Sequence, residues 1–177
     1  MSNYYLDLEE KIVQTDVRQL QIATFAAGCF WGVEDAFTRL KGVKSTMAGY
    51  TGGWLQNPKY KDVCNHNTGH AEAVQIQFDP NEVSYEELLD VFWSIHDPTT
   101  KNRQGPDIGS QYRSMIAFHT LDQEALARKS IEELRKSVRF RNEIVTEVVP
   151  ASTFYKAEEY HQRYYQRRGG SSCYNIY

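Results

Sequence analysis

One short stretch of the sequence combines the residue types needed for thiol chemistry, Gly28-Cys29-Phe30-Trp31-Gly32. A buried-strand pattern ends at Gly28, and apolar residues follow at helical spacing, so Cys29 is predicted to lie at a strand-to-helix junction. Backbone N–H groups and the positive end of a helix dipole stabilise a thiolate there and lower the thiol pKa. A small buried cysteine that only packs under the helix is the alternative. The glycines and the aromatic pair favour a nucleophile beside an apolar wall.

Glu72 is the second candidate for chemistry. It alternates along a predicted strand with Val74, Ile76 and Phe78, which places its carboxyl group on the core-facing side. Burial disfavours the charged form and raises the carboxyl pKa, and such a group can act as a general acid near neutral pH. A carboxylate at an open strand end, paired with an arginine, fits the spacing about equally well.

The cysteine count indicates redox chemistry and not a disulfide scaffold. The three cysteines are Cys29, Cys64 and Cys173, and the odd number leaves at least one thiol unpaired. Cys173 follows Gly169-Gly170-Ser171-Ser172, a flexible composition that would let it reach an oxidised Cys29. An inert exposed cysteine is the alternative. With no signal peptide and no long apolar run in the sequence, we expect a cytoplasmic protein that does not bind membranes.

Two polar loops hold weaker candidates. Cys64, His66 and His70 match metal ligands by type, but the paired spacing of a structural zinc site is missing, so we expect no metal. Asp107 and Tyr112 flank a Gly-Ser-Gln turn and could order a polar rim, or could serve ordinary turn chemistry.

The elements that must position these residues indicate one globular domain. The chain has 177 residues, 41% hydrophobic residues and a formal net charge of −3, which argues against nucleic acid as the main partner. We predict an N-terminal extension over 1–20 and a single domain over 21–177 with a flexible tail over 166–177. Predicted strands cover 22–27, 43–50, 72–78, 112–118 and 144–149. Predicted helices begin after the junction at Cys29 and at Ser84, and two more cover 121–136 and 157–167. Long loops cover 53–69 and 96–109. This order predicts an α+β fold with a mixed, mostly antiparallel sheet covered by helices.

Several motifs in order resemble those of the type A peptide methionine sulfoxide reductases, over about residues 21–165. They are Gly28 to Gly32, Gly49-Tyr50-Thr51-Gly52-Gly53, Thr68-Gly69-His70-Ala71-Glu72, the run from Asn102 to Ser114, and Ala157-Glu158-Glu159-Tyr160-His161-Gln162. The resemblance implies a two-layer α/β sandwich related to the ferredoxin-like split βαβ fold. The roles that it implies are Cys29 as nucleophile, Phe30 and Trp31 as the pocket for the substrate's ε-methyl group, and Tyr60, Glu72, Tyr112 and Asp107 as the polar groups around the sulfoxide oxygen.

The expected activity is thiol-dependent reduction of methionine-(S)-sulfoxide, free and in proteins, which repairs oxidative damage. Cys29 would become a sulfenic acid, Cys173 would convert it to a disulfide, and thioredoxin or another dithiol would reduce that disulfide without a cofactor. Family members often carry one or two recycling cysteines near the C-terminus, and this chain has only Cys173 there, so a relay through two such thiols is not expected.

Two other classes of protein stay open at this point. A cysteine hydrolase would pair Cys29 with His70 or His161 and consume no reducing equivalents. A noncatalytic module would hold methionyl or methylated groups in an aromatic pocket and would keep binding after its thiols were blocked.

Replacing Cys173 should stop recycling and spare the chemical step. Reduced Cys173→Ser should release about one methionine per enzyme and then stall with thioredoxin, because no internal thiol attacks the Cys29 sulfenic acid. Small thiols should partly restore turnover. Methionine release is measured by chromatography, with Cys64→Ser as the matched control that keeps steady-state turnover. Loss of the first turnover in Cys173→Ser, or a stall in Cys64→Ser, would contradict this assignment.

Overall fold

The computed structural model describes residues 19–170. Cys173 and the last part of the predicted tail lie outside these residues, as does the predicted extension up to residue 18. Within the described part of the chain, no helix is both long enough and apolar enough to cross a membrane.

A six-stranded sheet forms the centre of the molecule, with a two-stranded hairpin beside it. The strands are β1 (Gln21–Ala27), β2 (Val43–Thr51), β3 (Ala71–Phe78), the hairpin pair β4 (Arg103–Gln104) and β5 (Asp107–Ile108), β6 (Ser114–Phe118), β7 (Glu147–Pro150) and β8 (Tyr155–Lys156). Their order in the sheet is β7-β6-β1-β3-β2-β8. All neighbours pair antiparallel except β6 and β7, which are parallel.

The connections give two split βαβ units. The helices are α1 (Phe30–Thr38), α2 (Tyr60–Cys64), α3 (Tyr85–Ser94), α4 (Leu121–Lys136) and α5 (Tyr164–Arg167). Helix α1 joins β1 to β2, and α3 precedes β6; in each case a third strand lies between the two that the unit connects. The four strands β6-β1-β3-β2 therefore form the ferredoxin-like core, and the predicted α+β class is confirmed.

The two faces of the sheet differ in how they are covered. One face packs against α1, α3 and α4 around Phe25, whose ring stacks on Phe37, Phe92 and Tyr85 at centroid distances of 5.3, 5.1 and 5.9 Å. The other face carries small residues such as Ala26, Ala73 and Ala117 and is covered in part by Val149, Ala151 and Phe154. The large aromatic side chains of the core lie on the face that the helices cover, which explains why the molecule has two layers.

Helices α3 and α4 begin where the sequence predicts, and α3 shows why. Ser84 accepts a hydrogen bond from the N–H of Glu87 at 3.2 Å, and the Glu87 carboxylate accepts from the N–H of Ser84 at 2.7 Å. This is the predicted capping box, which satisfies two backbone donors at once. Helix α4 has the predicted bounds.

Four predicted elements besides the last helix differ from the structure. The loop over 53–69 contains α2, and the loop over 96–109 contains the β4–β5 hairpin. The strand predicted over 112–118 begins only at Ser114, after a 3₁₀ turn over Ser110–Tyr112. The strand predicted over 144–149 is displaced to Glu147–Pro150.

The predicted helix over 157–167 was the largest error. This segment forms a 3₁₀ turn at Glu159–His161 and a four-residue helix α5, separated by Arg163 at a φ of 50°. The reason is tertiary hydrogen bonding. Gln162 bonds both backbone groups of Ala48 at 2.9 and 3.0 Å, and the N–H of Arg163 donates to the Glu34 carboxylate at 2.7 Å. These bonds replace those of a continuous helix.

Candidate active site

Cys29 lies where the sequence predicts it, as the N-cap residue of α1 immediately after the β1 strand. Gly28 makes the turn between them at a φ of 94°, a left-handed conformation that favours glycine. A Cβ atom at this position would also lie 2.8 Å from the side chain of Gln104. The turn leaves the Cys29 thiol half-buried at the N-terminal end of the helix.

The predicted lowering of the Cys29 pKa is wrong for the substrate-free protein. Burial raises the pKa of this thiol to about 12, and the negative charges of Glu72 and Asp107 act in the same direction. The backbone N–H groups of Trp31 and Gly32 lower the pKa, as a helix N-terminus should, but their effect is smaller. Loss of hydration therefore outweighs the helix terminus, and Cys29 is a thiol at neutral pH.

Glu72 is the acidic group that faces this thiol. Only 2% of its side chain is exposed, and its Oε2 accepts the first N–H of α1, that of Phe30, at 3.1 Å. Burial raises the pKa of Glu72 to about 8; the N–H of Phe30 opposes this shift, and the charge of Asp107 makes a smaller contribution in the same direction as burial. None of the bonds recorded for Glu72 involves an arginine, so the buried carboxyl group is the alternative that the structure supports. Glu72 holds its proton at neutral pH.

The polar residues predicted around the substrate oxygen surround the same carboxyl group. Burial raises the pKa of Tyr112 to about 12, and the charges of Glu72, Asp107, Cys64 and Cys29 add to this effect. Burial also raises the pKa of Tyr60, with Cys64, Glu72 and Tyr112 contributing. Both phenols therefore remain protonated and can donate hydrogen bonds. Phenol, carboxyl and thiol groups from four separate segments therefore lie close enough to affect one another's ionisation.

The predicted methyl pocket is only half open to a ligand. Trp31 is partly exposed, and its ring stacks on Tyr164 at 3.7 Å with the planes 2° apart. Phe30 is 1% exposed and belongs to the core, where its ring contacts Tyr50 at 5.8 Å and His161 at 5.0 Å. Of the two predicted pocket residues, only Trp31 is accessible to a ligand, and Phe30 packs in the core.

His161 and Glu158 hold other side chains of the site in place. Sequence reasoning gave Glu158 no role and considered His161 only as the partner of Cys29 in a hydrolase. The indole N–H of Trp31 donates to Nδ1 of His161 at 2.9 Å, which fixes the orientation of the indole. The Glu158 carboxylate accepts the backbone N–H of Tyr60 at 2.9 Å and the hydroxyl of Tyr50 at 2.9 Å. Their signal was present in the motif over 157–162, but the motif alone did not say what these side chains contact.

The histidines of the first polar loop have structural hydrogen bonds. His70 accepts the N–H of Gly53 at Nδ1 and donates to the carbonyl of Leu55 from Nε2, at 3.1 and 2.8 Å. His66 bonds Gln111 at 2.8 Å. In residues 19–170, His, Cys, Asp and Glu side chains form no group of three that could hold a metal ion. His70 has no free ring nitrogen for Cys29, and His161 Nδ1 is bonded to Trp31, which weakens the hydrolase alternative.

The chain matches known proteins over most of its length. The family model described as peptide methionine sulfoxide reductase matches residues 21–176. The peptide methionine sulfoxide reductase MsrA of Methanoculleus marisnigri is 58% identical over 160 residues, which covers 90% of this chain and 98% of that protein. The structure of reduced Mxr1 from Saccharomyces cerevisiae is similar with a TM-score of 0.82 and 35% identity, covering 94% and 96% of the two chains. Mxr1 in complex with Trx2 matches with a TM-score of 0.60 and 27% identity, covering 94% and 95%.

The buried Glu72 carboxyl group should make stability depend on pH in a defined window. Its pKa rises from 4.5 to about 8 on folding, so the folded state must keep a proton that the unfolded chain releases. Stability from this group is complete below pH 4.5 and is lost as pH rises to about 8. Glutamine does not titrate, so Glu72→Gln should not show this loss. Its unfolding free energy minus that of the wild type should rise by up to about 1.4 kcal/mol per pH unit across this window.

Urea unfolding of the reduced protein at pH 5, 6, 7 and 8 measures this difference. Glu143→Gln, at an exposed glutamate, is the matched control and should show a constant offset. A constant offset for Glu72→Gln as well would mean that Glu72 is ionised in the folded protein.

Proposed function

The chain belongs to the peptide methionine sulfoxide reductase family, and we propose that its site reduces methionine-(S)-sulfoxide with Cys29 as the nucleophile and Glu72 as the proton donor. The observation that carries this assignment is the meeting of a thiol and a protonated carboxyl group at the N-terminus of α1, where Glu72 bonds the N–H of Phe30. Reduction of a sulfoxide needs both groups, because its sulfur is a poor electrophile until its oxygen receives a proton.

The protons that Glu72 and Cys29 carry are those that this reaction needs. Glu72 gives its proton to the sulfoxide oxygen as the Cys29 sulfur attacks the sulfoxide sulfur, and the Cys29 proton passes to Glu72. The attack forms a bond between the two sulfur atoms. That bond and the S–O bond of the substrate then break as the hydroxyl group transfers to the Cys29 sulfur, so methionine leaves and Cys29 becomes a sulfenic acid. Cys29 is oxidised, the sulfoxide is reduced, and Glu72 ends with a proton as it began. A thiol whose pKa is about 12 needs such a partner to become nucleophilic.

The surroundings of the two reacting groups give the substrate one orientation. Tyr60 and Tyr112 donate hydrogen bonds to the oxygen as charge develops on it, with Asp107 as their polar neighbour. Trp31, held by His161 and Tyr164, receives the methyl group with Phe30 behind it. Fixed positions for oxygen, methyl group and attacking sulfur select one epimer at the sulfur atom, and the family resemblance makes it the S epimer.

Recycling is proposed to use thiols alone. Cys173, outside the described residues, attacks the Cys29 sulfenic acid, water leaves, and a disulfide forms. Thioredoxin reduces this disulfide by exchange; the complex of the yeast relative Mxr1 with Trx2 supports this choice of reductant. Because this cycle consumes a reduced dithiol, we place the protein in the cytoplasm.

The function is tested by feeding each purified sulfoxide epimer to the reduced protein with dithiothreitol. The wild type should convert methionine-(S)-sulfoxide to methionine and leave the R epimer unchanged. Cys29→Ser should release no methionine, since a serine hydroxyl is barely ionised at neutral pH and does not form a sulfenic acid. Comparable rates for both epimers, or substantial activity of Cys29→Ser, would refute the proposal. Binding without turnover would identify a noncatalytic module.

Glu72→Gln tests the proton donor. The amide keeps the size of the side chain and a hydrogen-bond donor but cannot transfer a proton, so single-turnover methionine release should slow about 10²–10⁴-fold. In the wild type the rate should fall about tenfold per pH unit above a pKa of about 8, because only protonated Glu72 is active. The variant should lack this fall. A near wild-type rate would make Glu72 a structural carboxyl group, and the donor would be sought at Tyr60 or Tyr112.

A further inference from the structure

Two contacts hold the indole of Trp31, and they restrict different motions. Its ring stacks on that of Tyr164 at 3.7 Å with the planes 2° apart, which fixes the plane of the indole but restricts rotation within that plane only weakly. The indole N–H donates to Nδ1 of His161 at 2.9 Å, and this bond opposes the remaining rotation. The edge that Trp31 presents to a ligand therefore depends on His161.

The bond from Trp31 requires one form of the His161 ring. Nδ1 accepts the indole N–H and so carries no proton, which places the proton of a neutral imidazole on Nε2. Burial lowers the pKa of His161, and the charge of Glu158 offsets this only in part, so the ring is neutral at neutral pH. A protonated imidazole would have an N–H at both nitrogens and could not accept from Trp31.

The Nε2–H of His161 is buried next to a carboxylate. His161 is 1% exposed and is enclosed by the rings of Phe30, Tyr60 and Tyr160 at centroid distances of 5.0, 4.6 and 4.2 Å. Within the described part of the chain Nε2 has no hydrogen-bond partner, and Oε2 of Glu158 lies 3.9 Å away. This distance is too long for a hydrogen bond, but the negative charge still favours a proton on Nε2 over one on Nδ1.

Glu158 is fixed both in position and in charge. Its Oε1 accepts the N–H of Tyr60 and its Oε2 accepts the hydroxyl of Tyr50, both at 2.9 Å. Burial opposes ionisation, but these hydrogen bonds outweigh it and hold the pKa of the Glu158 carboxyl below its usual value. A fixed carboxylate beside one ring nitrogen sets the tautomer of a histidine, as it does for histidines that bind metals.

We propose that Glu158 and His161 are positioning residues that set the size of the methyl pocket: Glu158 selects the tautomer of His161, and His161 holds the indole of Trp31 against rotation. The inference rests on the proposed function. A wall that cannot turn resists a group larger than methyl, because packed sites with fixed walls tolerate an extra methylene poorly. A released indole can turn aside and admit it. The sequence of contacts from Glu158 through His161 to Trp31 therefore discriminates between a methyl and an ethyl sulfoxide.

The experiment compares methionine-(S)-sulfoxide with ethionine-(S)-sulfoxide, which has one more methylene on sulfur, in turnover with dithiothreitol. The readout is the methyl-to-ethyl ratio of kcat/KM, because a variant that only folds less well loses active enzyme equally for both substrates. His161→Asn and His161→Leu have side chains of the same shape, and only asparagine has an oxygen that can accept the Trp31 N–H in place of Nδ1. His161→Leu should lower the ratio about 3–10-fold, a part of the roughly 10–200-fold that one methylene is worth. His161→Asn should stay within about twofold of the wild type, since it keeps the bond.

Two further comparisons show whether the effect passes through the indole. In a Trp31→Phe background the N–H is gone, so His161→Asn and His161→Leu should give the same ratio. His119→Leu is the matched control, because it removes an imidazole that bonds Thr24 at 2.8 Å, and it should keep the wild-type ratio. Equal ratios for His161→Asn and His161→Leu with Trp31 present, or a fall in His119→Leu, would overturn the proposal.

Long-range proton–nitrogen NMR spectra of the imidazole test the tautomer without substrate. At neutral pH the wild type should carry the His161 proton on Nε2. Glu158→Gln keeps an oxygen for Tyr60 but removes the charge, so it should shift part of the population toward the Nδ1-protonated form. A proton on Nδ1 in the wild type, or an unchanged population in Glu158→Gln, would overturn the role given to Glu158. Failure of the wild type to reduce methionine-(S)-sulfoxide would refute the proposed function, whereas normal turnover with equal ratios in all His161 variants would refute only the positioning roles.

Discussion

The site depends on one constraint, a carboxyl group buried where its charge is costly. Glu72 is 2% exposed and receives one backbone hydrogen bond, from Phe30, and this is too little to hold it ionised at neutral pH. The proton that it keeps determines the state of its neighbours. A protonated Glu72 carries no negative charge that would oppose ionisation of Cys29. The phenols of Tyr60 and Tyr112 then face a neutral hydrogen-bond donor. A solvated or arginine-paired glutamate would leave the same thiol without an acid.

The fold places this carboxyl group beside the thiol by its strand order. Strand β3 lies between β1, which leads to Cys29, and β2, so the residue that begins β3 comes close to the start of α1. Glu72 lies opposite Tyr50 on β2, and the Tyr50 hydroxyl donates to Glu158. The segment after β8 then closes the site. Its side chains Glu158 and His161 hold Tyr60 and Trp31, while Gln162 joins it to the edge of β2.

The raised pKa values of thiol and acid distinguish this site from a hydrolase. A cysteine hydrolase needs a histidine base that leaves a reactive thiolate before substrate binds. Here His70 bonds backbone groups and His161 orients Trp31, and the thiol is ionised only as a proton moves. A buried acid with two phenols suits protonation of a sulfoxide oxygen.

The sequence by itself determined the elements whose signals are local. Alternation placed Glu72 on the buried face of β3, the Ser84–Glu87 pair began α3, and the glycines around Cys29 marked the strand-to-helix turn. Tertiary structure alone decided two matters. The segment after Ala157 has helical composition. However, the Gln162 side chain bonds the backbone of Ala48, and the N–H of Arg163 bonds the Glu34 carboxylate. Burying these polar groups without partners would cost more free energy than interrupting the helix, so the helix breaks. The Cys29 pKa depends on how much water the folded chain excludes, and this follows from packing across the sheet, which no local spacing encodes.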